Sequence, residues 1–279
     1  MDENQQIELV GKIGSMALIC KQDNDIDYNI FRRLSVQLRP GMVWVSSGAT
    51  EIGRLDYMRR NHGAELTGDI ENVKADYAAQ GQSILMETYR RFIPFEYSVR
   101  QVLVEHQHFN NPEKREYIRD MLLRAKGQNA IPIINYNDPV SSEENRKLEL
   151  DSLRENGDGE VVECIDNDET AAVVAELVQA RMLLIMTSVE GIYRDARDPK
   201  TLVEEIIEPD PEALEQRIRR LQRCCNGTSR KGSGGAWAKL EYIIPAVKNG
   251  TTVIIGSASH TIDELVAGRV PHTRIGLSY

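Results

Sequence analysis

Short apolar runs alternate with longer amphipathic segments along the whole chain of 279 residues. This alternation is typical of βαβ units, in which a helix connects one strand to the next parallel strand. The sequence therefore predicts an α/β protein with a mainly parallel central sheet. Six apolar runs are predicted as its strands, at residues 8–18, 42–47, 98–105, 130–137, 181–188 and 251–258.

Two of the segments between the predicted strands contain residues that typically begin or end a helix. Asn111 can cap a helix that begins at Pro112 and ends near Gly127, since asparagine favours the cap, proline the first turn and glycine the end. Asp210 and Pro211 repeat this arrangement. Residues 141–163 interrupt the alternation because they are rich in acidic and turn-forming residues. They are predicted to form a surface excursion, either a hairpin or a lid.

Composition argues against several classes of protein. The chain has 34 basic and 43 acidic residues and a net charge of -9, which disfavours a protein that binds nucleic acid or an anionic membrane. No apolar run approaches the roughly 20 residues that span a bilayer, and the N-terminus is too polar for a signal peptide. The four cysteines lack the spacing of a metal site. A cytoplasmic protein is expected.

The ends of the predicted strands are the candidates for a site, because ligands of open α/β sheets bind beyond the carboxyl ends of the strands. Lys12 is either an edge-strand residue that extends to water or a cation directed at a bound phosphate. Ser47 and Gly48 follow the second strand and precede a helix, where backbone amides can bind an anion. An ordinary serine cap would explain the same residues.

Carboxylates and amides follow two later segments. Asparagine and aspartate side chains at 135–138 precede Pro139. A turn alone would explain this group of residues. The same polar side chains could also bind an amino group or a hydroxyl of a ligand. Asp166, Asn167 and Asp168 precede an apolar helix. Asp168 is either the N-cap of that helix or, with Asp166, a group that orients lysines or holds Mg²⁺ beside a transferring phosphoryl group.

A glycine-rich stretch, KGSGGAWAK, lies at 231–239 and leads directly into a helical segment. Gly227 and Gly232 have the glycine spacing of a Walker loop, but Ser233 follows where that motif requires lysine. The stretch is therefore either a linker or a phosphate-binding loop of another kind. The direct entry into a helix with Lys239 in its first turn favours the loop.

Taken in order, these motifs resemble the amino acid kinase family and, within it, the glutamate 5-kinases. The similar segments extend over nearly all of the chain and are KIGS, VSSGA, AAQGQSILMETY, IPIINYND, DNDETAA, LLIMTSVEGIYRDARDP, GSGGAWAK and GTTVIIGS. The resemblance implies a three-layer α/β/α sandwich formed by one domain over 1–279. The N-terminal half, about residues 1–165, would receive the substrate, and the C-terminal half, about residues 166–279, would receive ATP.

The resemblance also implies roles for individual residues. Lys12 and Lys239 would contact the transferred phosphoryl group from opposite halves, and Asp168 would orient both lysines. The implied substrate positions are Ser47, Gly48, Asp138 and Asn167. The implied nucleotide positions are Lys12, Thr187, Ser188, Tyr193, Asp195, Ser233, Gly234, Gly235 and Lys239.

The implied reaction transfers the γ-phosphoryl group of ATP, with Mg²⁺, to the side-chain carboxylate of glutamate, as in proline biosynthesis. Phosphoryl transfer depends mainly on alignment and charge neutralisation, which two lysines, glycine amides and Mg²⁺ would supply. A carboxylate is already ionised at neutral pH, so no general base is required. His106 and His108 are accordingly expected to be structural or at the pocket edge. No residue is assigned to a metal, and a homodimer or homotetramer is expected.

Several positions depart from the glutamate 5-kinase pattern. Asp138 and Asp166 are 28 positions apart, which is longer than in the similar enzymes. Ile165 and Ser188 stand where glycine and aspartate are usual, and Trp237 is large enough to stack on or crowd the nucleotide. The alternatives are a related kinase for another small acidic metabolite (an amino acid, a carbamate, a phosphate or a phosphonate) and a non-catalytic nucleotide-binding or storage protein. The PUA domain found in many glutamate 5-kinases is not expected here.

Overall fold

A computed structural model describes residues 6–141, 143–156, 161–164, 166–224 and 235–278. The strands of these residues, in chain order, are β1 (Leu9–Ile13), β2 (Ile19–Cys20), β3 (Asp25–Ile26), β4 (Met42–Ser46), β5 (Ser98–Val104), β6 (Ala130–Tyr136), β7 (Met182–Thr187), β8 (Glu205–Glu208), β9 (Thr252–Ser257) and β10 (His272–Leu277). β2 and β3 form a short hairpin, and the other eight form one sheet in the order β5-β6-β4-β1-β7-β9-β10-β8.

The sheet is parallel from β5 to β9 and changes direction at β10. β1 pairs in parallel with β4 on one side and with β7 on the other. β10 pairs antiparallel with β9 and parallel with β8. The six predicted strands are confirmed as β1, β4, β5, β6, β7 and β9. β1 ends at Ile13, earlier than predicted, because the chain turns into a short 3-10 helix at Ser15–Ala17.

Helices cover both faces of the sheet. In chain order they are α1 (Tyr28–Ser35), α2 (Ala49–Arg60), α3 (Ile70–Phe92), α4 (Gln107–Asn110), α5 (Pro112–Gly127), α6 (Glu143–Asn156), α7 (Asn167–Leu177), α8 (Pro211–Gln222), α9 (Gly235–Tyr242), α10 (Ile244–Lys248) and α11 (Ile262–Val266). The side chain of Asn111 accepts a hydrogen bond from the Lys114 amide, and that of Asp210 accepts one from the Ala213 amide. The predicted caps of α5 and α8 are therefore confirmed.

Two apolar clusters lie on the two faces of the sheet. Alternate strand residues such as Val10 and Val45 pack with α5, α7, α8 and α10. Their neighbours, such as Leu9 and Trp44, pack with α1, α2, α3 and α11. Because side chains along a strand alternate between faces, one strand contributes to both clusters. The predicted three-layer α/β/α sandwich is confirmed.

Glycines allow α2 and α3 to pack closely. A Cβ added at Gly53 would lie 1.8 Å from the carbonyl oxygen of Tyr77, and one at Gly81 would lie 1.8 Å from that of Ala49. No side chain can occupy either position without moving a helix. The close approach fixes α2, whose N-terminus follows Ser47 and Gly48.

The excursion predicted at 141–163 contains a helix, α6. The hairpin alternative is wrong over 143–156, and the physical reason is the helix-forming composition of EENRKLELDSLREN, which has strong helix formers and no internal glycine or proline. Leu150 is buried and attaches α6 to the protein. Among the described residues, no helix combines the length and the apolar character needed to cross a membrane.

Candidate active site

Lys12 lies on β1, the strand at which the sheet passes from the N-terminal strands to the C-terminal ones. Its Cα is level with those of Val45 on β4 and Ile185 on β7. Only 8% of Lys12 is exposed. The edge-strand alternative is therefore wrong, because β1 has a partner on each side. Lys12 shares the sheet face of Val10, which is the face covered by α7.

Asp168 on α7 pairs with two lysines that are distant in sequence. Its Oδ1 lies 2.5 Å from the Nζ of Lys12, and its Oδ2 lies 2.8 Å from the Nζ of Lys239 on α9. All three side chains are largely shielded from water, with 6% of the Asp168 side chain, 10% of Lys12 and 16% of Lys239 exposed. One carboxylate thus holds two ammonium groups together beyond the end of β1.

The two lysines keep Asp168 ionised in this buried position. Burial alone would raise the pKa of the carboxyl group, but the charges and hydrogen bonds of Lys12 and Lys239 outweigh burial, so that its pKa lies below the ordinary value. The group of three carries a net positive charge. It can attract an anion with two or more negative oxygens.

Asp166, and not Asp168, caps the N-terminus of α7. Its Oδ1 accepts hydrogen bonds from the amides of Asp168, at 2.8 Å, and Glu169, at 3.0 Å. The N-cap alternative for Asp168 is therefore wrong, and the side chain of Asp168 is left to pair with the lysines. Burial and the nearby Asp168 charge raise the pKa of Asp166.

Ser47 is joined to α7 by Asn167. The Nδ2 of Asn167 donates to the Oγ of Ser47 at 2.9 Å and to the Oδ1 of Asn135 at 3.0 Å. Gly48 itself occupies the N-cap position of α2, with φ of 113°, and no side-chain oxygen caps that helix. The serine-cap alternative is therefore wrong, and the positive φ explains why glycine follows Ser47.

The network continues to Gln82 on α3. The Nδ2 of Asn135 donates to the Oε1 of Gln82 at 2.9 Å. The Oδ1 of Asn167 and the Nε2 of Gln82 are buried, and neither finds a hydrogen-bond partner among the described residues. A buried acceptor of this kind costs free energy unless a ligand or water satisfies it. Asn167 Oδ1 is therefore available to a donor such as an ammonium group.

A second buried chain of hydrogen bonds supports the end of β4. Trp44 donates to the Oη of Tyr89 at 3.0 Å, and Tyr89 donates to the Oγ of Ser46 at 2.8 Å. Sequence reasoning missed Gln82, Asn135 as a partner of Asn167, and Tyr89. The pairing of polar residues from strands and α3 could be found only from their positions in the fold.

Asp138 lines a separate small pocket between α3 and the 3-10 helix at Asp138–Val140. The pocket has a volume of about 230 Å³ and is also lined by Thr50, Glu71 and Lys74. Burial raises the pKa of Asp138 to about 6. A larger cleft, about 1010 Å³, lies at the amino ends of the parallel strands, beside Leu9 and Met182, and neither Lys12 nor Asp138 lines it.

The residues predicted to contact nucleotide follow β7 or begin α9. Thr187 ends β7 and accepts a hydrogen bond from the amide of Val189, and Ser188 is exposed. Tyr193 forms a bridge with Leu202, and Asp195 is exposed in the loop that follows.

The described part of the glycine-rich stretch begins with α9. Gly235 starts this helix with φ of 57°, a conformation that favours glycine. Trp237 is 53% exposed. Ser233, Gly234 and Ile165 lie outside the described residues. The linker alternative is wrong for 235–239, which form the first part of the helix.

The lysine pair, the polar strand ends and the sheet topology together define an α/β protein with a positively charged candidate site at its topological switch point. The sequence profile of the amino acid kinase family matches residues 9–257, and the chain therefore belongs to the amino acid kinase family. Among its relatives, the glutamate 5-kinase of Gloeobacter violaceus is 30% identical over 284 residues, which cover 98% of this chain and 69% of that protein. The glutamate 5-kinase of Herpetosiphon aurantiacus is 30% identical, with the same coverage.

Solved structures share the fold at low sequence identity. Carbamate kinase from Giardia lamblia bound to AMP-PNP has a TM-score of 0.61 and 14% identity, with 99% of this chain and 100% of that chain covered. UMP kinase from Ureaplasma parvum has a TM-score of 0.53 and 11% identity, with 98% and 99% covered. The resemblance to this family, inferred from the motifs, is confirmed.

Proposed function

We propose that this protein transfers the γ-phosphoryl group of ATP to the side-chain carboxylate of glutamate, giving glutamyl 5-phosphate and ADP. The observation that carries the proposal is the bridging of Lys12 and Lys239 by the buried carboxylate of Asp168. The glutamate 5-kinases among its relatives support the choice of acceptor.

Charge neutralisation is the main task of the three residues. The transferred phosphoryl group spreads negative charge over its oxygens in the transition state, and fixed cations stabilise that charge most when water is excluded. Asp168 limits the movement of both ammonium groups, so that little reorganisation is needed when charge develops. Lys12 and Lys239 are the residues that would hold the phosphoryl oxygens.

Mg²⁺ would be held mainly by the phosphates of the nucleotide. Within the described ranges, no group of three or more histidine, cysteine, aspartate or glutamate side chains could hold a metal ion. Mg²⁺ commonly binds to one or two protein carboxylates together with substrate phosphates, so this arrangement suits a kinase. When bound, the ion neutralises phosphate charge in addition to the lysines.

The polar residues on the other side of Lys12 suit an amino acid acceptor. The partly buried carboxylate of Asp138 and the unsatisfied Oδ1 of Asn167 can accept hydrogen bonds from an α-ammonium group. The N-terminus of α2, after Ser47 and Gly48, offers amide donors and the positive end of the helix to a carboxylate. An acidic amino acid carries groups of both kinds.

A coupled assay of ADP release tests the proposal. The acceptors to compare are glutamate, aspartate, N-acetylglutamate, carbamate and nucleoside monophosphates. We expect release to depend on glutamate, and hydroxylamine to convert the acyl phosphate product into a hydroxamate. If ADP release depends on another acceptor and not on glutamate, the assignment of glutamate is wrong and that acceptor is the substrate. If no acceptor stimulates ADP release, the result supports a non-catalytic binding protein.

A further inference from the structure

The helix α6 lies beside the acceptor side of the candidate site. Two observations show how α6 is attached to the protein: Leu150 is buried, and the Oε2 of Glu149 lies 2.9 Å from the Nε2 of the buried His106, which follows β5. A helix attached at these points has a defined face toward the site. Arg146 lies one turn before Leu150 and so shares its side of α6.

Arg146 is a half-buried cation near four groups that follow β5, end or follow β6, or precede α7. Its Nη1 donates to the carbonyl oxygen of Cys164 at 3.4 Å, and its Cζ lies 6.0 Å from the centroid of the Tyr136 ring. Its charge also acts on Asp138 and His106, and it is the strongest influence that opposes the effect of burial on the pKa of Asp138. Arg146 therefore lies among residues that end β5 and β6.

The guanidinium of Arg146 has N–H donors that are available to a ligand. It carries five N–H groups in a planar fork, and the long hydrogen bond to the Cys164 carbonyl together with the contact to Tyr136 leaves several of them for a ligand. In the part of the chain that the structure describes, Arg146 forms no ion pair with a carboxylate. Its charge nevertheless acts to lower the pKa of Asp138. A partly dehydrated guanidinium in this state favours a carboxylate ligand, which it can bind with two parallel hydrogen bonds.

Asp138 and Arg146 together match the charges of a free amino acid. The α-carbon of an amino acid carries an ammonium group and a carboxylate side by side. Asp138 lines the small pocket, and the guanidinium of Arg146 lies at the ring of Tyr136, two residues before Asp138. The two groups form no ion pair with each other among the described residues. We propose that Arg146 binds the α-carboxylate of the acceptor while Asp138 binds its ammonium group. α6 would thereby restrict the enzyme to amino acids with a free α-carboxylate.

This inference rests on the proposed function, in which an amino acid is phosphorylated on its side chain. It adds a residue that determines specificity. Arg146 lies in the segment between Asp138 and Asp166, so the length of that segment would have a function. A purely structural Arg146 would only hold α6 through Tyr136 and the carbonyl group of Cys164.

Acceptor analogues separate the two roles. 4-Aminobutyrate is glutamate without the α-carboxylate, and it keeps the amino group and the reacting carboxylate. We expect Arg146→Gln to raise KM for glutamate by about 10- to 100-fold, the usual worth of a charged hydrogen-bonded pair, with kcat changed less than about threefold. KM for 4-aminobutyrate should stay the same. Arg146→Lys should recover part of the affinity for glutamate.

The matched control is Arg154→Gln on the same helix. Arg154 is 47% exposed and pairs with Asp151 and Glu163, so its removal tests a change of charge on α6 away from the pocket. It should leave KM for both acceptors unchanged. Equal increases in KM for glutamate and 4-aminobutyrate in Arg146→Gln would overturn the inference, because they would show that Arg146 only holds α6.

Calorimetric titration with glutamate separates this inference from the proposed function. Turnover of glutamate with an unchanged KM in Arg146→Gln overturns the inference and leaves the function. Binding of glutamate that is weakened by Arg146→Gln, without turnover in the wild-type protein, supports the inference and overturns the function. If the wild-type protein neither binds nor phosphorylates glutamate, both are overturned.

Discussion

The Nζ of Lys239 lies 2.8 Å from the Oδ2 of Asp168, and this contact joins α9 to the N-terminus of α7. Because the other oxygen of Asp168 contacts Lys12, the position of Lys239 relative to β1 is fixed through one carboxylate. The two ammonium groups would repel each other without it. Asp168 therefore has both a structural and an electrostatic effect, and the two can be measured separately.

Removal of Lys239 should affect turnover far more than folding. We expect Lys239→Ala to lower kcat for the glutamate reaction by about 100-fold or more, since a cation that stabilises the transition state is lost. Steady-state ADP release measures this change. Lys248→Ala is the control, because Lys248 is a lysine of α10 that pairs with Glu215 away from the site. A kcat for Lys239→Ala within threefold of the control would contradict the assigned role.

Removal of the Asp168 charge should destabilise the protein. Asp168→Asn leaves two largely buried lysines without their carboxylate, and loss of one member of a buried ion pair costs about 3 kcal/mol or more. Urea denaturation should show a lower free energy of unfolding with an unchanged m-value. Asp151→Asn, at a position 65% exposed, should change that free energy by less than about 1 kcal/mol. Equal stability of the two variants would show that Asp168 contributes no such pairing.

The sequence predicted the six strands from β5 to β9 and missed β10 and β8, which complete the other side of the sheet. β1, β4, β6, β7 and β9 are nearly continuous apolar runs, which parallel strands covered on both faces require. β8 and β10 were missed because β8 has four residues, and β10 has only Ile275 and Leu277 as large apolar residues. β2 and β3 have two residues each, which is too short for a periodic pattern.

The sequence likewise identified only some residues of the candidate site. Lys12, Asp168 and Lys239 lie in recognisable motifs, so the sequence could single them out. Gln82 and Arg146 lie on ordinary amphipathic segments, and only the positions of α3 and α6 in the fold bring them to Asn135 and Tyr136 on β6. The sequence could not show which of Asp166 and Asp168 caps α7 and which pairs with the lysines. Either could cap the helix, and the roles depend on the direction of each side chain.

The crossing of α2 and α3 should tolerate no side chain at Gly81. We expect Gly81→Ala to lower the free energy of unfolding by about 2 kcal/mol or more, because the new methyl group would meet the carbonyl oxygen of Ala49 and force the helices apart. Gly127→Ala is the matched control, since a Cβ there meets nothing within 4 Å. It should be neutral or slightly stabilising. Thermal denaturation of both variants measures the difference, and an equally stable Gly81→Ala would contradict this packing.

Asp138 should give the reaction a pH dependence near 6. Its pKa is raised to about 6 by burial, and only the ionised form can bind the ammonium group of the acceptor. We therefore expect kcat/KM for glutamate to fall as the pH decreases below about 6, since this ratio reports the free enzyme. Asp138→Asn should have a higher KM and should lose that decrease.

Whereas kcat/KM should fall as the pH decreases, the contribution of Asp138 to stability should fall as the pH increases. Its measurement is an independent test of the raised pKa of Asp138. A carboxyl group whose pKa rises from 3.8 to about 6 on folding binds protons more tightly in the native state. Its contribution to stability therefore falls as the pH increases from 3.8 to about 6 and stays low above that range. Asp138→Asn should therefore increase the free energy of unfolding more at pH 8 than at pH 4. Urea denaturation at the two pH values measures this difference. A gain that is the same at both pH values would show that the pKa of Asp138 is not raised, and the acid limb of kcat/KM would need another origin.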